Sequence, residues 1–531
     1  MSTSHSGWTV MSAAEQGRPQ APVPDTVARP ELADVGRLWR RAVRGVVTAA
    51  RASDQPTLAG SLRAHLGDGC DQLPVVQESW PSYDHVNVQA GLDAWLDHPV
   101  RSWHLQGITG SHGVMFGLAD LLAAGALWPE GHGPRPGNVA RINAACGPDA
   151  AVRPCVRCGL YLVDDGGTRT VLLLRGPEPD WGRQFATVEI VSTDPEQAQR
   201  VASEIRELTL RHNVFRGQVL SFGGEMFGPG QTLLQFHRRP VLREDQVVLD
   251  RDTLIAIDRQ VLLVSRYRRE LLDAGQHLKR GLLLYGPPGV GKTHTVRYLI
   301  SSLTGTTVIE LSGSALHLIA EACSVARSLQ PSMVVIEDVD LIAEDRGMDP
   351  GPHPLLFQLL NEMDGLAEDA DVLFVLTTNR ADLLEPALAA RPGRVDQAVE
   401  LMLPDLAARR ALFELYRGRL EIDVSGLDEV LRRTDGVTAS FIKELIRRAA
   451  VGAAERGAGP GAAERQVAPG HLSVSPADLT AAVDELLDQR NAMTRILLGS
   501  GGEGGGTGPS TGPQQFIPPF PCTPDGTWST S

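Results

Sequence analysis

At 531 residues, 42% hydrophobic and 21% charged, the chain has material for roughly two to four globular domains with ample core. A formal net charge of −14 argues against a general binder of nucleic-acid backbones, so nucleic acid is not the expected partner. No apolar run reaches the roughly 18 residues of a membrane span, no signal-type segment opens the chain, and six cysteines in this length make no disulfide framework; the expectation is a soluble cytoplasmic protein with no membrane association.

Residues 1–30 are rich in Ser, Ala, Pro and Gly and are expected to be disordered. Residues 31–240 read as an N-terminal region, α-helical at first and then α+β. Leu38, Val43, Val46 and Val47 line one helical face, Leu92, Trp95 and Leu96 begin a second helix, and Phe116 to Trp128 suggests a third. From Gly159 the period changes to short strands, Leu160–Val163, Val171–Leu174 and Ala186–Val191, followed by a helix over Pro195–Leu210 and two more strands, Val214–Phe222 and Thr232–Phe236. Cys155 and Cys158 form a C-x-x-C with Cys146 upstream and His132 as a conceivable fourth zinc ligand. A single such pair at irregular spacing is more often buried core thiol.

Asp252–Leu272 is helical in pattern and leads into the most informative stretch of the chain. The apolar run Leu282-Leu283-Leu284-Tyr285 is followed by Gly286, Pro287, Pro288, Gly289, Val290, Gly291, Lys292 and Thr293, a full G-x-x-x-x-G-K-[ST] match between a buried strand and a helical run, Thr293–Leu303. Glycines there let successive backbone N–H groups wrap a phosphate chain, Lys292 supplies a point charge for the β and γ phosphates, and Thr293 offers its hydroxyl to Mg²⁺. Only Lys279, Lys292 and Lys443 among the 50 basic residues are lysines, so the loop retains a compact ammonium in a chain that otherwise uses arginine. Beyond it come a strand Thr307–Leu311, a helix Ala315–Leu329, a strand Met333–Ile336 ending in Glu337-Asp338, and a strand Val372–Leu376 ending in Thr377-Thr378-Asn379. Strands alternating with helices, with polar residues at the strand C-termini, predict a doubly wound parallel α/β sheet with its ligand in that crevice.

Over residues 247–490 these motifs, in this order, resemble the AAA ATPases, with 247–404 as the α/β nucleotide-binding subdomain and 405–498 as a helical lid interrupted by an Ala-rich linker at 452–469. The resemblance implies ATP and Mg²⁺ as cofactors, a protein client, and assembly into a homo-hexameric ring. It implies that Met333–Asp340 is the Walker B strand, with Glu337 in the Mg²⁺ shell and Asp338 as catalytic base, and that Asn379 positions the lytic water. Leu384–Asp396 resembles the family's second region of homology, in which Arg391 and Arg394 act as arginine fingers in trans.

Two departures stand out. The acids closing Walker B run Glu-Asp where the family has Asp-Glu, and Ala315-Leu316-His317-Leu318 has neither the aromatic nor the glycine of a pore loop. Both are similar to the mitochondrial AAA protein that translocates the folded Rieske subunit. Gly436–Ser440 resembles the start of the lid helix that faces the nucleotide, without an arginine as second sensor. The function implied is an ATP-hydrolysing, ring-forming remodeller or translocator of a protein partner; the alternative is an ATP-gated assembly switch or scaffold with slow turnover. Residues 499–531 form a Gly/Pro-rich tail expected to be disordered, with Phe516, Phe520 and Trp528 as scattered aromatics.

Overall fold

The structure is a computed structural model that describes residues 57–110, 116–123, 134–179, 182–223, 233–340, 354–381, 395–457 and 472–488. Its first unit is an antiparallel sheet in the order β1-β7-β6-β5-β2-β3: β1 (Val76–Pro81), β2 (Arg101–Thr109), β3 (Arg135–Gly137), β5 (Val152–Asp165), β6 (Thr168–Arg175) and β7 (Phe185–Ser192), with β4 (Ala140–Ala145) pairing β5 off this path. Helices α1 (Leu58–Leu66) and α3 (Leu118–Leu122) share a core with one face, through Leu62, Leu118, Leu160 and Leu173. Helices α2 (His85–Leu96) and α4 (Pro195–Arg211) share a core with the other, through Val88, Leu92, Ile190 and Val201.

This corrects the reading of the region as helical before it turns α+β: among the described residues strands begin at Val76, and Leu92, Trp95 and Leu96 end a helix rather than begin one. The helical period was hidden because α2 is buried nearly all round, polar residues included. Asn87 accepts a hydrogen bond from Val214 N at 2.8 Å and Gln89 from Val156 N at 2.9 Å, so side chains that look solvent-facing in sequence are core groups satisfied by backbone. The helical face expected at Leu38, Val43, Val46 and Val47 lies outside the described residues, as does the end of the helix expected over Phe116–Trp128.

The second sheet has the order β14-β10-β13-β12-β11-β8-β9: β8 (Val219–Gly223), β9 (Leu233–His237), β10 (Arg280–Tyr285), β11 (Thr307–Leu311), β12 (Ser332–Ile336), β13 (Val372–Thr378) and β14 (Gln397–Glu400). All pairs are parallel except β8 with β9. Between its strands run α5 (Lys292–Ser302), α6 (Ile319–Ser328) and α7 (Pro354–Asp364), giving the doubly wound α/β plan. β8 and β9, assigned by sequence to the N-terminal region ending at 240, belong to this sheet instead, Val219 pairing with Val308 and Leu220 with Ile309. Five-residue apolar runs carry no information about which sheet they join; the choice is tertiary.

The two units are fused rather than strung together. Val86 and Cys155 of the first lie in the same core as Leu220, Phe222 and Ile309 of the second, and Tyr83 packs with its ring centroid 6.0 Å from Phe222 and 6.4 Å from Phe215. Arg239, just beyond β9, donates to the carbonyls of Ile300 (2.5 Å), Leu303 (3.1 Å), Thr306 (2.6 Å) and Gly217 (3.1 Å), a cation at the C-terminus of α5 where unpaired carbonyls concentrate.

The helix expected from Ala315 is a 3₁₀ turn over Gly313–Leu318 before α6 begins at Ile319. Leu316 is buried in it and Leu318 packs against the same core. The lid comprises α8 (Leu406–Arg417), α9 (Leu427–Arg433), α10 (Ala439–Gly457) and α11 (Pro476–Leu487) around Phe413, Phe441, Leu445 and Leu479, with a two-stranded pair, Glu421–Ile422 and Ser473–Val474, that the helical reading did not anticipate. Among the described residues no helix is long and apolar enough to cross a membrane.

Candidate functional site: the cleft between phosphate loop and lid

Tyr285, Ile336 and Thr378 end three neighbouring parallel strands at the same edge of the sheet, Tyr285 in register with Thr378 and Ile336 with Leu376. The phosphate loop leaves from that edge and enters α5. Gly286 has φ +141°, and a Cβ there would lie 2.3 Å from the carbonyl oxygen of Leu401, so a side chain is excluded by backbone. Gly289, at φ +82°, faces the start of the lid helix, where a Cβ would lie 3.0 Å from Thr438 Oγ1. Glycine at both positions lets the loop close tightly under the lid.

A cleft of about 400 Å³ opens here, lined by Gly289, Gly291, Lys292, Thr293, Asp338 and Asn379 on one side and by Tyr416, Ser440 and Lys443 of the lid on the other. Lys292 is 7% exposed. Its Nζ donates to Gly286 O (2.7 Å), Pro287 O (3.0 Å) and Asn379 Oδ1 (2.7 Å). Burial holds this ammonium below the usual lysine range, while Asp338 and Asp340 pull it back up. The three oxygens around it are the kind of partner that phosphate oxygens replace, so the donor set suits a polyanion.

Asn379 joins the loop to the end of β12, its Nδ2 donating to Asp338 Oδ1 at 3.3 Å. Asp338 itself has φ +51°, a left-handed conformation that costs a non-glycine residue about 1–3 kcal/mol and clusters at functional sites. Its N–H donates to Thr377 Oγ1 at 3.1 Å, and Val339 N to Thr377 O at 2.9 Å, which fixes the bend. Asp340 accepts from Thr378 Oγ1 at 2.9 Å, a support for the Asn379 turn that sequence reasoning did not single out.

Lys292, Thr293, Asp338 and Asn379 are thus brought together at one cleft. Glu337 stands next to it, its N–H bonded to Leu311 O, and its charge adds to the burial that raises the carboxyl of Glu310. Arg391 and Arg394 lie outside the described residues. Sequence reasoning passed over Tyr416 and the cleft-facing position of Lys443; the signal available was Lys443 itself, a rare lysine in an arginine-rich chain. Cys155 and Cys158, three residues apart on β5, pack into different cores, one with Val86 and the other with Leu160, so they do not share an ion; His132 lies outside the described residues.

Beside the cleft lies a narrow recess lined by Val247, Val248, Val290, Leu412, Tyr416 and Ala439, with His294 Nε2 2.9 Å from Gln246 O.

The model of the ATPase family associated with various cellular activities (AAA) matches residues 282–403, from β10 through the segment beyond β14. The chain is 32% identical over 253 residues to the ATP-dependent zinc metalloprotease FtsH 1 of Sphaerobacter thermophilus, covering 45% of this chain and 36% of that protein. It is 33% identical over 247 residues to the FtsH of Mycobacterium tuberculosis, covering 44% and 30%. It is 32% identical over 191 residues to the 26S proteasome regulatory subunit 6B homolog of Dictyostelium discoideum, covering 33% and 47%. The match thus spans between about a third and a half of the length of these relatives. Sheet order, phosphate loop and family model agree over residues 282–403, and this stretch of the chain is an α/β domain similar to that of the AAA ATPases.

Proposed function

We propose that the protein is a cytoplasmic ATP hydrolase that assembles into a homo-hexameric ring and remodels or moves a protein partner held by its N-terminal region. The observation that carries the hydrolase reading is the convergence of Lys292, Asp338 and Asn379 through hydrogen bonds at the phosphate loop. Lys292 exchanges its loop carbonyls for the β and γ phosphate oxygens. Asp338 accepts the proton of the attacking water, and Asn379, released from Lys292 and still within reach of Asp338, orients that water. When bound, Mg²⁺ neutralises charge on the phosphate oxygens; Thr293 and Glu337 would hold it. Arg391 and Arg394 would complete the site of the neighbouring subunit.

Aspartate as base has a side chain one methylene shorter than glutamate, which favours slow turnover. The second reading, an ATP-gated assembly switch, gains support from Leu316 and Leu318, which belong to the core and so do not form a gripping loop. Steady-state ATPase rate with and without candidate protein partners, together with a mass measurement with and without ATP, tests both. A hexamer with partner-stimulated turnover is expected of the remodeller, an ATP-dependent hexamer with constant slow turnover of the switch. A monomer that does not hydrolyse ATP would refute both.

A further inference from the structure

Helix α2 leaves a groove open between itself and the edge of the first sheet. Two cavities of about 490 and 380 Å³ adjoin there and share Asp93, Trp103 and Arg153. Ala90, Ala94, Asp97 and His212 further line the first, and Gln89, Leu105, Arg141 and Tyr161 the second. Trp103 is 48% exposed, with its ring centroid 6.0 Å from that of the buried Tyr161. A tryptophan backed by an aromatic neighbour and open to solvent offers a large, rigid contact surface.

The charges sort along the groove. Where the cavities meet, Asp93 is satisfied from within, accepting from Gln89 Nε2 at 2.7 Å and from Arg153 at 2.6 Å. Arg141 lines only the second cavity, is exposed, and makes no side-chain hydrogen bond or ion pair among the described residues. Asp97 lines only the first cavity and is likewise exposed and without an ion pair among those residues. A guanidinium thus stands at one end and a carboxylate at the other, with Trp103 common to both cavities. The lining from Gln89 to Asp97, a helical run, spans about 12 Å, the reach of roughly four residues of extended chain.

The backbone beside the groove favours a peptide over a compact ligand. β2 pairs β5 along one side, whereas on the other β3 covers only Gly107–Thr109, and β4 pairs β5 alone. Among the described residues the outer edge of β2 from Arg101 to Gln106 therefore has no partner strand, and Trp103 and Leu105 of that stretch line the groove. An extended chain laid along this edge gains main-chain hydrogen bonds and sends alternate side chains into the groove.

We propose that the groove holds an extended segment of a protein partner that carries an acidic and a basic residue about four positions apart with an apolar residue between them, the acid on Arg141 and the base between Asp97 and the Trp103 ring. The proposal rests on the reading above that the N-terminal region holds a protein partner, and gives that reading a place and a chemistry.

The test offers the full chain a bead library of capped peptides of randomised sequence, each with one photoreactive benzophenone residue. Wild type is compared with Asp97→Lys and Trp103→Ala, and melting midpoints establish that both variants are folded; Asp97 is exposed, so its variant keeps the fold. Enriched peptides are expected to show the acid–base spacing and to cross-link to α2 or β2. Both variants are expected to bind them about tenfold more weakly. Asp97→Lys should in addition prefer analogues whose basic residue is replaced by Glu, a reversal that a structural role for Asp97 does not produce. Enriched peptides without the charge pattern, or bound equally by wild type and Asp97→Lys, overturn the proposal; cross-links elsewhere within residues 57–240 then leave the partner-holding reading standing. Cross-links confined to residues 247–498 overturn that reading together with the groove. No bound peptide overturns the groove, and a changed assembled mass in Asp97→Lys then assigns it to contact between copies of the chain.

Discussion

Replacing Lys292 with methionine separates what the phosphate loop needs for folding from what it needs for its ligand. The Lys292 side chain is 7% exposed and its ammonium bonds three oxygens, two of them carbonyls of the partly exposed loop and the third Asn379 Oδ1. Removing the charge deletes about three hydrogen bonds of roughly 1 kcal/mol net each, but also removes the desolvation penalty that keeps the group below the usual lysine range. Methionine fills nearly the same volume, so the two effects largely offset and ligand-free stability is expected to change by no more than about 1 kcal/mol. Binding has no such compensation. Two charge-assisted contacts to phosphate, at about 1.5–3 kcal/mol each, correspond to a loss of roughly 10²- to 10⁴-fold in ATP affinity. Urea unfolding of the ligand-free protein and titration with a fluorescent ATP analogue measure the two quantities on the same sample. Affinity within threefold of wild type, with the fold intact, would refute the assignment of the loop.

Asp338→Asn is expected to bind ATP, turn it over at a small fraction of the wild-type rate and accumulate as oligomer; mixed with Arg391→Ala, which keeps its base, it should regain part of the activity if fingers act in trans, and mixtures shown to co-assemble without rescue would count against a shared site. Arg239→Met should destabilise the protein by about 2–4 kcal/mol in urea unfolding, because the carbonyls of Ile300 and Leu303 at the end of α5 and those of Gly217 and Thr306 lose one charged donor; a shift under 1 kcal/mol would mean that water replaces the guanidinium. Burial raises the Asp84 carboxyl to about 6 despite a hydrogen bond from Asn87. The folded state therefore holds this proton more tightly than the unfolded chain, so the group's contribution is fully present below about pH 4 and lost as pH rises through about 6. Asp84→Asn should accordingly raise the melting midpoint at pH 8 more than at pH 4.5, and an equal shift at both would remove the carboxylate as the cause.

Legibility from sequence followed how local each signal was. The phosphate loop, the acids after β12 and Asn379 after β13 sit at strand ends within short stretches whose apolar runs and turns specify themselves, and Lys292, Asp338 and Asn379 meet at one cleft. The lid's share of the site was invisible because Tyr416 and Lys443 reach the cleft only through helix packing across more than a hundred residues. Helix α2 was misplaced because its buried Asn87 and Gln89 mimic a solvent face, and β8 and β9 because pairing partners are not written in five-residue segments. Leu316 and Leu318 illustrate the opposite case: their apolar character was plain, but only the 3₁₀ turn that aims them inward shows that they are core.

The extension of the nucleotide sheet by β8 bears on how work could leave the site. Backbone hydrogen bonds run without interruption from β10 beside the phosphate loop, through β13, β12 and β11, to β8, and only residues 212–218 separate β8 from the end of α4 in the first unit. Tyr83, Val86 and Cys155 then lock that unit against the same core. The strand edge that carries the phosphate loop is therefore joined to the N-terminal unit by continuous backbone pairing and one short connection, so a displacement of β10 would have little slack chain in which to be lost.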